Sequence, residues 1–264
     1  MAPPASRAAG VSGRAEQGEP GQADDPSRQQ RLPAALHQCV GQPGRGRFVV
    51  LEGIDGCGKT TQLELLRRWL PSSGLMPPGA RLITSREPGG TPLGRALREL
   101  LLHPPAAAAP CSDAELLLYA ADRAQHVASV IRPALEAGDW VLCDRFSGST
   151  VAYQGYGRGL PLERIAALEQ LATAGLEPDL TLWLALPLEE AVRRRGGRAA
   201  DRIEAAGSAF LERVLVGFSI LAEQRGWQRI EALQAVGAVS HDCCTLLGRV
   251  LAPSAAGPTD RSGG

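Results

Sequence analysis

Gly53-Ile54-Asp55-Gly56-Cys57-Gly58-Lys59-Thr60 satisfies G-x-x-x-x-G-K-S/T at every fixed position. The stretch follows Arg47–Glu52 (RFVVLE), a short apolar run with the pattern of a buried strand. It precedes residues 59–70 (KTTQLELLRRWL), where leucines recur at helical spacing before Pro71. A strand, a glycine loop and a helix in that order make a phosphate cradle. Glycines let backbone N–H groups curl round phosphate oxygens, and the helix points its positive end at the same place. Gly53, Ile54, Asp55, Gly56, Cys57, Gly58, Lys59, Thr60 and Thr61 are the expected ATP phosphate-binding segment. Lys59 would charge-balance the β- and γ-phosphates, and the Thr60 hydroxyl would ligate Mg²⁺. The chain's 28 Lys+Arg include one lysine, Lys59, which leaves 27 arginines. That lysine stands where a compact ammonium serves better than a planar guanidinium.

Outward from the loop, the pattern alternates. Arg81–Arg86 reads as a second strand, and Thr91-Pro92 opens a helix as N-cap and first-turn proline. Ser112-Asp113-Ala114-Glu115 reads as a capping box starting a helix that runs to about Glu136. Trp140–Cys143 and Asp179–Leu186 are further strands, with a capped helix over Pro161–Ala174 between them. A helix over about 206–225, a weak strand near Gln228–Glu231 and a final helix to about Leu251 complete the chain. Strands alternating with helices predict an α/β fold of the P-loop NTPase type: a doubly wound five-stranded parallel sheet with helices on both faces.

Composition narrows the function. Residues 1–46 and 253–264 lack runs of large apolar residues and are expected to be disordered, leaving one domain over 47–252. The formal net charge is zero, which argues against nucleic acid as the main partner. No apolar stretch approaches the roughly 20 residues of a membrane span, so no membrane partner is expected. Cys39, Cys57, Cys111, Cys143, Cys243 and Cys244 form no C-x-x-C pair or zinc spacing, and read as reduced thiols of a cytoplasmic protein.

A cradle specifies nucleotide and leaves the reaction open. Three further segments carry polar groups at strand ends, where open parallel sheets bind ligands. They are Arg86-Glu87-Pro88-Gly89-Gly90-Thr91, the helix segment Tyr119–Gln125, and Asp144-Arg145-Phe146 with Ser149–Gly159 behind it. Arginines at two strand ends suit a second phosphate-bearing ligand. On its own pattern Arg123 also fits a surface helix arginine. Asp144 fits either a Mg²⁺ partner or a salt-bridge acceptor for Arg145.

LEGIDGCGKTTQ, REPGGT, YAADRAQHV, DRFSGSTVAYQGYGRG, PDLTLWL and DRIE together resemble bacterial thymidylate kinases over almost all of residues 47–251. The resemblance implies transfer of the γ-phosphoryl of ATP to dTMP, with Mg²⁺, in a homodimer. It implies that Arg86 and Arg145 hold the dTMP phosphate and that Tyr119 stacks on thymine. Arg123 and Thr150 would bond the base's polar edge, and Tyr153 would crowd the sugar 2′ position. Asp55 would help hold the 3′-OH, with Gln154 lining the pocket.

The basic segment Arg193–Glu204 resembles the mobile lid of nucleoside monophosphate kinases. Some thymidylate kinases carry an arginine where this chain has Gly56, so Arg195 and Arg198 of the lid are the expected catalytic arginines, beside Lys59, Arg145 and Asp55. Arg202 is expected to brace the lid through local acids. Two departures from the family pattern, Leu184-Ala185-Leu186-Pro187 and Leu215 after Arg213-Val214, bear on lid and dimer contacts. Rival readings are a kinase for another nucleoside monophosphate and a noncatalytic nucleotide switch. With no second lysine, the guanine-reading Asn/Thr-Lys-x-Asp loop of GTP switches is absent.

Overall fold

The computed structural model describes residues 45–105, 109–196 and 201–252. Strand β1 (Phe48–Glu52) lies at the centre of a five-stranded sheet with β2 (Leu82–Arg86), β3 (Trp140–Asp144), β4 (Leu180–Ala185) and β5 (Gln228–Glu231). The spatial order is β2-β3-β1-β4-β5, and every pair is parallel. All of β1 is buried, because helices cover both faces. Its side chains alternate accordingly. Val49 and Leu51 join one core with Leu66, Leu182 and Phe218, while Phe48 and Val50 join another with Val127, Ile131 and Leu135.

Between strands run α1 (Lys59–Trp69), α2 (Pro92–Leu102), α3 (Ser112–His126), α4 (Arg132–Glu136) and α5 (Ser147–Thr150). After them come α6 (Leu162–Thr173), α7 (Leu188–Arg195), α8 (Ser208–Gln224) and α9 (Val236–Leu251). The long helix expected to reach Glu136 does so, as α3, a π-helical turn over Val127–Ile131, and α4. The Thr91 cap holds: its hydroxyl accepts from Gly94 N–H at 2.9 Å.

One expectation is corrected. Ser112-Asp113-Ala114-Glu115 is not a capping box: Cys111 is the cap residue, no side chain bonds there, and Glu115 is 1% exposed. Its carboxylate turns inward because Gln154, Arg158 and Arg202 offer charged and amide donors in place of one backbone N–H. Residues just ahead of β1 also contact the fold. Arg45 pairs with Asp179 at 3.2 Å, and Gly46 N–H bonds Leu135 O at 2.8 Å. The rest of the segment 1–46 and the tail 253–264 lie outside the described residues.

Candidate active site

The glycine loop joins β1 to α1, as its pattern requires. Gly53, Gly56 and Gly58 have φ of 140°, 89° and 98°, values that exclude most side chains. Lys59 folds back over the loop, and its Nζ donates to Gly53 O at 2.9 Å and Ile54 O at 3.0 Å. A Cβ on Gly56 would meet the Ala191 carbonyl oxygen at 2.6 Å, so α7 packs directly on the loop. The root of the basic segment therefore occupies the space in which a loop arginine would begin. Arg195 ends α7, whereas Arg198 lies outside the described residues.

Asp144 ends β3 beside α1. Its Oδ2 lies 3.5 Å from Thr60 Oγ1, and its Oδ1 is buried without a hydrogen-bond partner. Arg145 pairs with Asp55 instead, so the salt-bridge reading of Asp144 does not hold. A hydroxyl and an unsatisfied carboxylate suit a hard dication, so these residues fit Mg²⁺.

Arg145 has φ 72°, a left-handed backbone that an arginine rarely adopts. That turn aims its guanidinium at the loop, donating to Gly53 O at 3.0 Å, Ser149 Oγ at 2.9 Å and Asp55 Oδ1 at 2.8 Å. Tyr153 OH donates to the other Asp55 oxygen at 3.2 Å. Burial would raise the Asp55 pKa, but Arg145 and Lys59 outweigh it and hold the carboxyl well below the usual range. Below the loop, buried Glu52 accepts from the N–H groups of Phe146 and Ser149, both at 3.0 Å, and from Ser149 Oγ at 2.6 Å. It thereby fixes the turn that carries Arg145, Thr150 and Tyr153.

A cleft of about 530 Å³ opens beside these groups. Asp55, Arg145, Thr150, Tyr153 and Gln154 line it, as do Tyr119 and Arg123 from α3. Arg123 is no surface residue. It is 2% exposed, with Nε on Glu87 at 2.8 Å, Nη1 on Thr150 at 2.9 Å and Glu169 at 2.5 Å, and Nη2 on Phe146 O at 3.0 Å. Four of its five donors are used, which leaves one Nη2 N–H. Because Thr150 accepts from Arg123, its own hydroxyl proton is free for a ligand.

Arg86 is exposed at the end of β2 and lies outside the cleft lining. Arg98 of α2, which the sequence reading missed, does line it. Burial, and next the charge of Arg86, lower the Arg98 pKa. Arg145 also lowers it while the cleft-lining Asp201 opposes, so three arginines with a nearby carboxylate stand at this end of the cleft, an arrangement suited to an anion. The only sequence signal for Arg98 is its place two turns into the helix capped by Thr91.

Beneath Arg123 lies a crowded set of acids. Asp122 is pushed up to about 6 by burial and by Glu87, and Glu169 to about 7 by burial, which outweighs its share of Arg123. Glu169 Oε2 is buried without a partner, consistent with a proton residing there. Both folded pKa values exceed the ordinary 3.8 and 4.5, so the native state binds more protons than the unfolded chain between about pH 4 and 7. These groups therefore remove stability as pH rises through that window. Glu169→Gln is expected to abolish its share: wild-type Tm minus variant Tm falls between pH 5 and 8. A constant difference would show that Glu169 is charged throughout.

The chain's similarities converge with this geometry. A family model described as thymidylate kinase matches residues 51–243. A curated thymidylate kinase of Parasynechococcus marenigrum (strain WH8102) is 67% identical over 195 residues, covering 74% of this chain and 93% of the relative. One from Prochlorococcus marinus (strain MIT 9313) is 68% identical, covering 74% and 90%. Among solved structures, thymidylate kinase from Ehrlichia chaffeensis matches with a TM-score of 0.62 at 30% identity, covering 77% of this chain and 98% of that one.

Proposed function

The chain belongs to the thymidylate kinase family, and from that premise we propose that it transfers the γ-phosphoryl of ATP to dTMP, giving ADP and dTDP. One observation carries this reading: Arg145 donates to the phosphate loop at Gly53 O and also lines the acceptor cleft. The two phosphate seats thus share a single guanidinium, which sets donor and acceptor next to each other. Positioning and charge neutralisation are most of what phosphoryl transfer asks of a protein.

Lys59 and the loop N–H groups hold the ATP phosphates. Arg145, Arg98 and Arg86 attract the dTMP phosphate, whose oxygen is already anionic and needs no general base. Tyr119 flanks the base, with Arg123 and Thr150 on its polar edge. Tyr153, 6% exposed and tied to Asp55, walls the sugar and resists a 2′-hydroxyl. Thr60 and Asp144 would hold Mg²⁺, which supplies charge neutralisation at the phosphates. A coupled ADP-release assay with ATP and dTMP, dUMP, UMP, CMP or AMP tests the reading, and failure to prefer dTMP would sink it.

The contact of α7 with Gly56 supports a lid donor for the catalytic arginine, with Arg195 and Arg198 as the candidates. Arg195→Ala is expected to lower kcat about 10²-fold or more while leaving the dTMP KM within about threefold, the mark of a transition-state contact. An unchanged kcat would move that role elsewhere.

Exposed leucines support a homodimer. Leu93 and Leu100 on α2, Leu117 on α3 and Leu171 on α6 are 46–78% exposed, and α3 packs against both α2 and α6. Large apolar side chains left in solvent on neighbouring helices favour a cover. Sedimentation should give a dimer that Leu117→Glu dissociates; a wild-type monomer would refute it. The five described cysteines are free thiols, which supports a reducing, cytoplasmic setting. No described helix is long and apolar enough to cross a membrane.

A further inference from the structure

We propose that Glu115, a residue outside the cleft lining, is a positioning residue that decides which atom of Gln154 the acceptor cleft presents to the base. The proposal rests on the reading of the cleft as a pyrimidine nucleotide site. Glu115 and Gln154 are each 1% exposed. Gln154 Nε2 donates to Glu115 Oε1 at 2.7 Å. Arg158 donates to the same carboxylate through Nε at 3.3 Å and Nη2 at 3.2 Å, and Arg202 Nη2 reaches Oε2 at 2.5 Å. Glu115 lies 87 residues from Arg202 in sequence, and Arg202 Nε also donates to Leu101 O at 2.8 Å.

A primary amide has a donor end and an acceptor end of almost equal size, and its orientation follows its neighbours. A carboxylate held by two guanidiniums is acceptor-only. Were Gln154 flipped, its Oε1 would face Glu115 Oε1, losing a buried hydrogen bond and opposing two lone pairs. Glu115 therefore engages Nε2 through one N–H, fixing the amide's orientation, and leaves Oε1 as the acceptor end of Gln154 toward the cleft. Thr150 and Gln154 stand four residues apart on one helical run, beside Arg123. The cleft accordingly offers a fixed acceptor to the base edge. A ring N–H, as in thymine or uracil, complements it. A bare ring nitrogen, as in cytosine, meets it lone pair to lone pair. A buried polar group left unpaired in this way is the kind of contact that rejects a near-isostere.

Arg158 and Arg202 keep Glu115 in place, and neither touches Gln154 in the described contacts. Because Arg202 belongs to the basic segment, seating of that segment and orientation of the amide meet at one carboxylate. Glu115 reaches the base through Gln154 and the basic segment through Arg202.

The experiment compares kcat/KM for dTMP and 5-methyl-dCMP, which differ only at ring N3 and C4, in the wild type, Glu115→Gln and Gln154→Leu. The amide of Glu115→Gln can donate or accept, so Gln154 is freed to flip. The dTMP preference is expected to fall about tenfold or more in both variants. General damage to the fold would lower both substrates alike and leave the ratio unmoved. An unchanged ratio in folded Glu115→Gln overturns the proposal. Gln154→Leu keeps both arginine pairs of Glu115, so if Glu115→Gln does not fold, an unchanged ratio in Gln154→Leu overturns it equally. Failure of the wild type to phosphorylate dTMP would instead sink the functional reading beneath it.

Discussion

Lys59→Ala is expected to lower kcat by about 10²–10³-fold or more while leaving the fold intact. The expectation follows from what the ammonium touches. Nζ caps two carbonyls of the loop, Gly53 O and Ile54 O, so it sits within the cradle before any phosphate arrives. Charge aimed in advance at developing phosphate charge acts without reorganisation, and removing one such donor typically costs about 2.7–4 kcal/mol of barrier. The chain has no second lysine to move in. Lys59→Arg should fail to rescue, because a planar fork cannot fill a seat shaped around a compact ammonium in a loop of left-handed glycines. Single-turnover phosphate transfer, with circular dichroism on the same samples, checks this. A folded Lys59→Ala enzyme with near-normal kcat would mean that the γ-phosphoryl is held elsewhere.

The loop and the sheet were legible because their signals are local. Glycines at fixed spacing and alternating short apolar runs state backbone geometry directly, and even the weak strand at Gln228–Glu231 lies where its pattern puts it. The acceptor cleft was legible through resemblance more than through residue chemistry. Arg123 illustrates the difference. Its helical spacing fits an exposed position, and only the acids Glu87 and Glu169, 36 and 46 residues away in sequence, make its burial tolerable. Glu115 misled for the same reason. Ser-x-x-Glu is a sound cap signal, yet it is overridden when distant arginines compete for the carboxylate. Arg98 carried only the signal of its place on the helix capped by Thr91, and an arginine there is ordinary until the cleft beside it is seen. What a sequence leaves unsaid here is the set of long-range polar partners, which depends on how the elements pack.

Arg145→Gly and Arg145→Ala are both expected to lower kcat/KM for dTMP by about 10²–10³-fold, and to differ from each other in stability. Either change removes the guanidinium that bonds Gly53 O, Ser149 Oγ and Asp55 together, so the loop loses a brace and the proposed seat of the acceptor phosphate is lost. Arg145→Lys should recover little, because one ammonium cannot serve three acceptors spread around a planar fork. The backbone separates the two truncations. At φ 72° a residue with a Cβ bears a cost of roughly 1–2 kcal/mol that glycine does not. The chain holds an arginine here against that preference, and strain of this kind persists where surrounding contacts fix it. Glu52 supplies those contacts by tying down Phe146 N–H and Ser149 on the C-terminal side. Arg145→Gly should therefore melt a few degrees above Arg145→Ala, at about 2–4 °C per kcal/mol for a domain of this size. The pair shares every lost side-chain contact, so the Tm difference reads the backbone alone. Equal Tm values would show that the turn costs nothing. Near-normal kcat/KM in either variant would show that Arg145 does not join the two phosphate sites.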